Sequence, residues 1–456
     1  MEKEGILVFI HLDDGLGFAS SKEKTAEASE KVRGDLISYG LLISENKCQW
    51  GARRMIEWTG FIWDTVNFKL LIPEKKLVKA EGAIDSLLAK AEKPVRIKEL
   101  ASVAGLIGSF NYAVGDHTRF YTRRMMMKIA KVTEEFSWSA KADLGEGVKE
   151  ELRFWRLRLR DLNGHTIRKE DRVFNVQTRD FCSDAGGMQV GGAEFKGEES
   201  EVHCLKDSEF QAVIQEEDFG KSSTYRELLG IEEGLKVHGQ HLQGQRVRWG
   251  CDNWAACQIV KIGSMKENCH EVARRIVELI RRWDIEFETY WLSRETLQIR
   301  HCDALSKDFD TADYRLSDAD FRGLEDAFGP FDVDLFASSF SFLFKPFFAR
   351  RACSMAAGVD AFSEDWGELG RVFIHPPVGL VVRVLRYAEQ CRAKGLLVVP
   401  NWHSSIFMAK LVELEKRDKI RRVAKFKPFL HSAPWISSNT FQGFPWFDFL
   451  AFEMHF

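Results

Sequence analysis

The chain opens on an apolar run interrupted once. Residues 5–19, GILVFIHLDDGLGFA, predict a strand, a tight acidic turn and a second strand. A strand-like EWTGFIWD follows at 57–64. LIPEKKLVKAEGAIDSLLAKAE and IKELASVAGLIGSFNYAV then place apolar residues three and four apart, the period of amphipathic helices. Two basic, aromatic-laced runs, RFYTRRMMMKIAK and ELRFWRLRLRDL, lie between 119 and about 160. The polar LNGHTIRKEDR after them marks a boundary, with a new domain beginning near 172.

From that point strands and helices alternate: VFNVQTRDFCSDAGG, STYRELLGIEEGLKVH, RVRWGCDN, CHEVARRIVELIRRW, DIEFETYWLS, and a helix opened by Asp303 in DALSKDF. Alternation of this kind predicts a mixed α/β sheet. A third region runs from FGPFDVDLFAS through GRVFIHPPVGLVVRVLRYAEQ to GLLVVPNWHSS. Each of its strands ends in polar residues, at the edge where open α/β sheets bind ligands. The expected domains are 1–78, 79–171 (helical), 172–312 and 328–456, an α/β and α+β multidomain chain.

Its 456 residues suit two to four domains. With 65 Lys+Arg against 68 Asp+Glu, any affinity for nucleic acid has to come from local basic faces, which excludes a histone-like mode. The acidic start lacks the basic stretch of a secretory signal. The apolar stretch 331–348 carries Asp332, Asp334 and Lys345 and fails as a membrane span. An intracellular protein, cytoplasmic or nuclear, with no membrane partner is expected. Nine cysteines without a CxxC pair argue against a disulfide framework or a zinc ribbon. His203/Cys204, Cys269/His270 and His301/Cys302 are neighbours in sequence, but adjacent side chains rarely reach one tetrahedral ion, so they read as reduced, half-buried thiols.

Asp13 and Asp14 at the turn of so apolar a hairpin are costly unless a cation compensates them, although DDG alone is an ordinary turn signal. FIHLDDGLGFA, followed by ISENKCQW and EWTGFIWD, resembles the palm of retroelement reverse transcriptases. His11 stands in the place of that motif's tyrosine, Asp13 and Asp14 are its carboxylates, and Lys47 falls on the loop lysine. Two-metal phosphoryl transfer in that family needs a further aspartate from an earlier strand, which the chain starts too late to contain. The resemblance therefore implies a partial palm and thumb that does not polymerise by itself.

The strongest constellation is Asp184, Glu227, Asp252 and Asp303. Asp184 and Asp252 end apolar strands, and Glu227 shares a helix with Leu228, Ile231 and Leu235. Each has an ordinary alternative as a cap or a solvated residue. FCSDAGG, SSTYRELLGI, RWGCDNWAACQIV and HCDALSKDF resemble, in order and spacing, the acidic motifs of the ribonuclease H domain of retrotransposons. The resemblance implies that these four carboxylates hold two magnesium (or manganese) ions and cut the RNA strand of RNA–DNA hybrids. Asn253 fits that pattern, and Cys302 departs from it, standing where alanine is usual. Arg119, Arg123, Arg124, Lys128, Arg153 and Arg156, with Arg158, Arg160, Phe154 and Trp155, are candidates to grip a hybrid or a template–primer. The alternative is a solvated helix face.

FDVDLFAS, the diproline at 376–377 and LLVVPNWHSS resemble the methyltransferase-like domain that follows ribonuclease H in DIRS-like retrotransposons. In active relatives an Asn or Asp precedes the prolines and an aromatic residue follows them. Here His375 and Val378 occupy those positions, and no Gly-rich loop stands near Asp334. The expected domain is Rossmann-like and degenerate, binding S-adenosylmethionine weakly or not at all, with Asn401 and Trp402 as the neighbours able to replace the lost groups. The whole reads as a fragment of a retrotransposon polyprotein, partnered by nucleic acid and by other proteins of the same element. The competing reading is a nucleic-acid-binding remnant whose four acids no longer converge.

Overall fold

The computed structural model describes residues 6–166, 178–197, 202–309, 314–432 and 443–456. The expected boundary near 172 and the start of the strand drawn from 173 lie outside these residues. Contacts divide the chain into two units, Met1–Val173 with Lys261–Glu267, and Phe174–Val260 with Asn268–Phe456.

In the first unit, Leu77, Ala80, Ile84 and Leu87 form one buried stripe on the helix Glu74–Ala89. It packs with stripes from Ile97–Gly108, Arg123–Glu135 and Glu146–Leu162 around the fully buried Trp155. Buried Glu151 accepts the Arg124 and Met125 amides, at 2.9 Å each, and so answers the positive N-terminus of Arg123–Glu135. The strand-like segment at 57–64 folds as a hairpin, Met55–Trp58 against Phe61–Asp64. Thr59 and Gly60 turn it, both at positive φ (49° and 79°), the backbone a two-residue hairpin loop demands.

The first hairpin forms as expected, Leu7–His11 paired with Asp14–Phe18. Its turn carries no electrostatic cost, however, because Asp13 and Asp14 are exposed and water solvates both. Leu7, Phe9, Ile10 and Leu12 are also 49–87% exposed.

Among the described residues, the second unit holds two large sheets and a two-stranded one, Tyr314–Leu316 with Leu430–Ser432. The first contains β1 (Arg179–Ala185), β2 (Gln189–Lys196), β3 (Phe210–Val213), α1 (Ser223–His238), β4 (Arg246–Cys251), α2 (Trp254–Ile262), α3 (Glu267–Arg282), β5 (Glu286–Trp291) and α4 (Leu297–Ser306). Its strand order is β3-β2-β1-β4-β5, with the short strand His203–Cys204 also on β2. β4 runs parallel to β1 and β5, whereas β2 runs antiparallel to β1 and β3. The sequence pattern missed β2, β3 and α2. β2 carries Gly191, Gly192 and a charged Glu194, a poor strand by composition. Glu194 is buried against the guanidinium of Arg179. A Cβ on Gly191 would come within 2.7 Å of Leu305 Cβ and 2.8 Å of Ser306 N, so only glycine lets α4 lie on β2. α4 also begins six residues before the expected start, so Asp303 sits in its last turn and does not open it.

The second sheet contains β6 (Val333–Ala337), β7 (Phe347–Ala349), β8 (Gly358–Val359), β9 (Arg371–Ile374), α5 (Val381–Cys391), β10 (Lys394–Pro400), α6 (Ile406–Lys416), β11 (Ile420–Phe426) and β12 (Phe449–His455). The order is β8-β7-β6-β9-β10-β12-β11, parallel from β8 to β10, with β12 antiparallel to both neighbours. The apolar runs of β9 and β10 are buried on both faces, as parallel strands between helix layers require.

His238, at the end of α1, packs its ring against Phe181 and Phe210. Its Nε2 lies 3.0 Å from the Ser208 carbonyl and, facing an acceptor, carries the proton. Burial lowers its pKa to about 4. A folded-state pKa below the unfolded one means that the unfolded chain binds the proton first. Stability is therefore full above about pH 6.5 and falls as pH drops toward 4. Urea unfolding at pH 7 and pH 5 should show a loss of about 2 kcal/mol attributable to this ring, and His238→Gln should remove that part of the slope. An unchanged slope in the variant would refute the assignment.

Candidate carboxylate site

The parallel register of β1 and β4 sets the site. Gly250 pairs with Cys182, and continuing that register brings Asp252 level with Asp184 at the C-terminal ends of the two strands. Asn253 holds the loop that follows. Its Oδ1 accepts the Ala256 amide at 3.0 Å, capping α2, and its Nδ2 donates to Thr224 Oγ1 at 3.2 Å near the start of α1. α1 itself begins at Ser222, whose hydroxyl accepts the Tyr225 amide, and it directs Glu227 inward at the same strand ends. Glu227 Oε1 accepts the Ala185 amide at 3.4 Å. From the other side, α4 supplies Asp303 and Ser306. The Ser306 hydroxyl donates to Asp184 Oδ2 at 2.8 Å and stands 3.0 Å from the Asp303 carbonyl.

The four acids anticipated from sequence are thus brought together from four separate elements. Their electrostatics follow from that crowding. Burial, then the charges of Asp184 and Asp252, raise the Glu227 pKa well above the ordinary carboxylate range. Burial also raises Asp184, with Asp303 and Asp252 adding to the shift and the Ser306 hydroxyl opposing it. The Cys251 thiol, whose ligand atom lies within 4.8 Å of those of Glu227 and Asp252, is held protonated chiefly by its Cys257 neighbour, then by burial and Glu227.

Three residues of the site were not anticipated. Arg294 Nε meets Asp252 Oδ2 at 2.5 Å, yet the Arg294 side chain is 83% exposed while that of Asp252 is 4% exposed. Lys307 Nζ meets Asp303 Oδ1 at 2.5 Å. Ser306 and Lys307 fall three and four positions after Asp303, a helical spacing that could have revealed them once α4 was drawn through residue 306. Arg294 lies in a loop and has no such signal. Cys302, the departure from the family pattern, is fully buried, and its thiol donates to the Cys182 carbonyl at 3.3 Å, so α4 accommodates it without distortion.

The donor set is hard carboxylate oxygen, partly open to solvent on the Asp303 side. That fits magnesium or manganese. Burial and then mutual repulsion raise Glu227 and Asp184, while Arg294 and Lys307 compensate Asp252 and Asp303.

The other sequence candidates lie elsewhere. Asp13, Asp14 and Lys47 are exposed, and no ion pair joins them among the described residues. The basic runs are less open than their sequence suggests. Arg124 pairs with Glu150, Arg153 with Glu146, Arg156 with Asp85, Arg158 with Asp161, and Arg160 with Glu74 and Glu81. Arg123 Nε donates to the Ile262 carbonyl at 2.8 Å. Phe154 stacks on Tyr121, and Trp155 is buried. Arg119 is exposed and Lys128 half-buried. An unbroken cationic face therefore does not run from 119 to 160.

His375 follows β9 directly and, with Asp334, Val378 and Trp402, lines a cavity of about 590 Å³ at the ends of β6, β9 and β10. Burial lowers its pKa to about 4, so the ring is neutral at pH 7. Asn401 Oδ1 and Trp402 Nε1 are buried without a hydrogen-bond partner among the described residues.

No family model matches the chain, and no curated protein matches it. Solved structures similar to it include the foamy viral protease–reverse transcriptase in complex with double-stranded DNA, at 11% identity and a TM-score of 0.29 over 64% of this chain and 46% of that one. Ribonuclease H1 of the halophilic archaeon Halobacterium salinarum is similar at 13% identity and a TM-score of 0.23, over 28% of this chain and 94% of its own. LC11 ribonuclease H1 in complex with an RNA/DNA hybrid gives 16% identity and a TM-score of 0.22, over 28% and 92%. The chain spans about half the length of the foamy viral proteins. The roles of residues in this chain rest on its own geometry. No helix among the described residues is long and apolar enough to cross a membrane.

The Glu227 carboxyl yields a prediction with a definite sign. Its folded-state pKa is raised above that of the unfolded carboxyl, so stability falls as pH climbs from the unfolded value toward the raised one and stays low beyond it. Glu227→Gln should make the metal-free protein about 1–2 kcal/mol more stable at pH 7, with the gain shrinking toward pH 4, as urea titration at the two pH values would read. A variant less stable than wild type at pH 7 would contradict this account.

Proposed function

We propose that residues 178–309 form a ribonuclease H-like nuclease that hydrolyses the RNA strand of RNA–DNA hybrids, within a fragment of a retroelement polyprotein related to DIRS-like elements. The observation that carries this reading is the convergence of Asp184, Glu227, Asp252 and Asp303 from two parallel strand ends and two flanking helices. These residues would hold two magnesium or manganese ions, which when bound supply charge neutralisation and a more acidic water for phosphodiester cleavage.

The chain's own groups set the conditions for that chemistry. Ser306 orients the Asp184 carboxylate, the Ala185 amide orients Glu227, and the Asn253 cap fixes the loop that presents Asp252. Arg294 and Lys307 neutralise the two outer acids. Lys307, paired with the partly exposed Asp303, can swing away at small cost, whereas Arg294 can leave the buried Asp252 only as another cation takes its place. The same two contacts favour the competing reading, a hybrid-binding domain whose acids are satisfied internally. Arg119 and Lys128 remain the first-unit candidates for backbone contact, and the paired arginines can exchange carboxylate for phosphate.

Activity separates the two readings. With magnesium or manganese the chain should cleave the RNA of a labelled hybrid, and Asp252→Asn should lower the rate by about 100-fold or more. Cleavage that survives this change or survives chelation would overturn the assignment. The same preparation should give no primer extension, because Asp13 and Asp14 stand solvated at an exposed hairpin turn.

For the C-terminal sheet we propose an open α/β framework without methyl transfer. Strand order reverses between β6 and β9, where such sheets hold ligands, and the cavity lies there. A neutral His375 and an aliphatic Val378 supply neither the amide or carboxylate acceptor nor the stacking ring that adenine methylation needs. Calorimetric titration with S-adenosylmethionine should show binding no tighter than about 1 mM. Tight binding together with methyl transfer to duplex DNA would show that other groups have taken over.

A further inference from the structure

Outside the carboxylate site, one cluster brings together three different ligand chemistries. Cys204 lies on the short edge strand paired with β2, Glu209 immediately precedes β3, and His301 stands on α4. Their ligand atoms lie within 4.8 Å of one another, and all three residues are half-buried. His301 Nε2 is 3.1 Å from Glu209 Oε1, while the second Glu209 oxygen meets Arg351 Nε at 3.1 Å. The Cys204 thiol is free of any disulfide. In sequence His203/Cys204 and His301/Cys302 looked like two failed pairs. Folding takes one member from each and adds a carboxylate between them.

We propose that Cys204, Glu209 and His301 form a site for a thiophilic divalent cation, with zinc as the expected occupant, separate from the carboxylate cluster and independent of its function. A thiolate, an imidazole and a carboxylate are the donor types that zinc takes in sites with one open position, and the thiolate disfavours magnesium. Donors at ~2.0–2.3 Å around a tetrahedral ion stand ~3.3–3.7 Å apart, so binding draws atoms now within 4.8 Å of one another together by about 1 Å. Arg351 bonded to the outer Glu209 oxygen fixes the carboxylate orientation and leaves the inner oxygen toward the site, a supporting contact of the kind that metal ligands commonly have. Burial, followed by the Glu209 charge, raises the Cys204 thiol pKa to about 11, so binding releases a proton and strengthens with pH. An ion here ties the edge strand and β3 to α4, the helix that carries Asp303.

The test uses the full chain with magnesium in excess and cobalt(II) as the probe. The expected result is a near-ultraviolet thiolate-to-cobalt absorption saturating at one ion per chain, displaced by zinc and lost in Cys204→Ser and His301→Ala. Because a variant could fold poorly, alkylation of wild-type protein provides a second readout. Zinc should slow modification of Cys204, located by peptide mass, by about tenfold or more. Absence of the absorption band, its persistence in Cys204→Ser, or alkylation of Cys204 at an unchanged rate would each overturn the proposal.

Discussion

Mutual repulsion among carboxylates is the constraint around which the second unit is arranged. Asp184, Glu227, Asp252 and Asp303 are drawn to one end of a five-stranded path, and the side chains of all but Asp303 are largely withdrawn from water. Such a cluster is unfavourable in itself. It persists because the surrounding fold is rigid: a parallel register levels two of the acids, a capped helix aims the third, and a helix packed through the bare backbone of Gly191 brings the fourth. Burial first, and then the neighbouring carboxylates, raise the Glu227 and Asp184 pKa values, and Arg294 and Lys307 compensate Asp252 and Asp303.

The first unit follows the opposite logic. Its charges are mostly compensated where they stand, each arginine of the helix Glu146–Leu162 meeting an acid on its own or a neighbouring helix. Such pairs add little to stability and remain exchangeable for phosphate. What stands out is apolar: the Leu7–Phe18 hairpin exposes Leu7, Phe9, Ile10 and Leu12 while burying Leu16.

In the C-terminal sheet, framework and chemistry are separable. β9 and β10 are buried on both faces whatever lies between them, so the switch-point cavity survives substitution of the two residues that follow the strand. His375, neutral and packed edge-on to Phe449, is a wall of that cavity.

The sequence by itself determined the mixed α/β class, the helix at 223–238 to the residue, and which four acids were candidates, because 3.6-residue periodicity and local apolar runs are written in adjacent positions. It could not show β2, where Gly191 and Glu194 look wrong for a strand until α4 lies against the one and Arg179 pairs with the other. Nor could it show that Asp13 and Asp14 are solvated, that most of the arginines between 119 and 160 are paired, or that Asp303 closes a helix. Only the tertiary structure decided these points, and the joining of Cys204 to His301, because each depends on which distant residue occupies the space beside it, and burial and charge compensation are properties of neighbours in space.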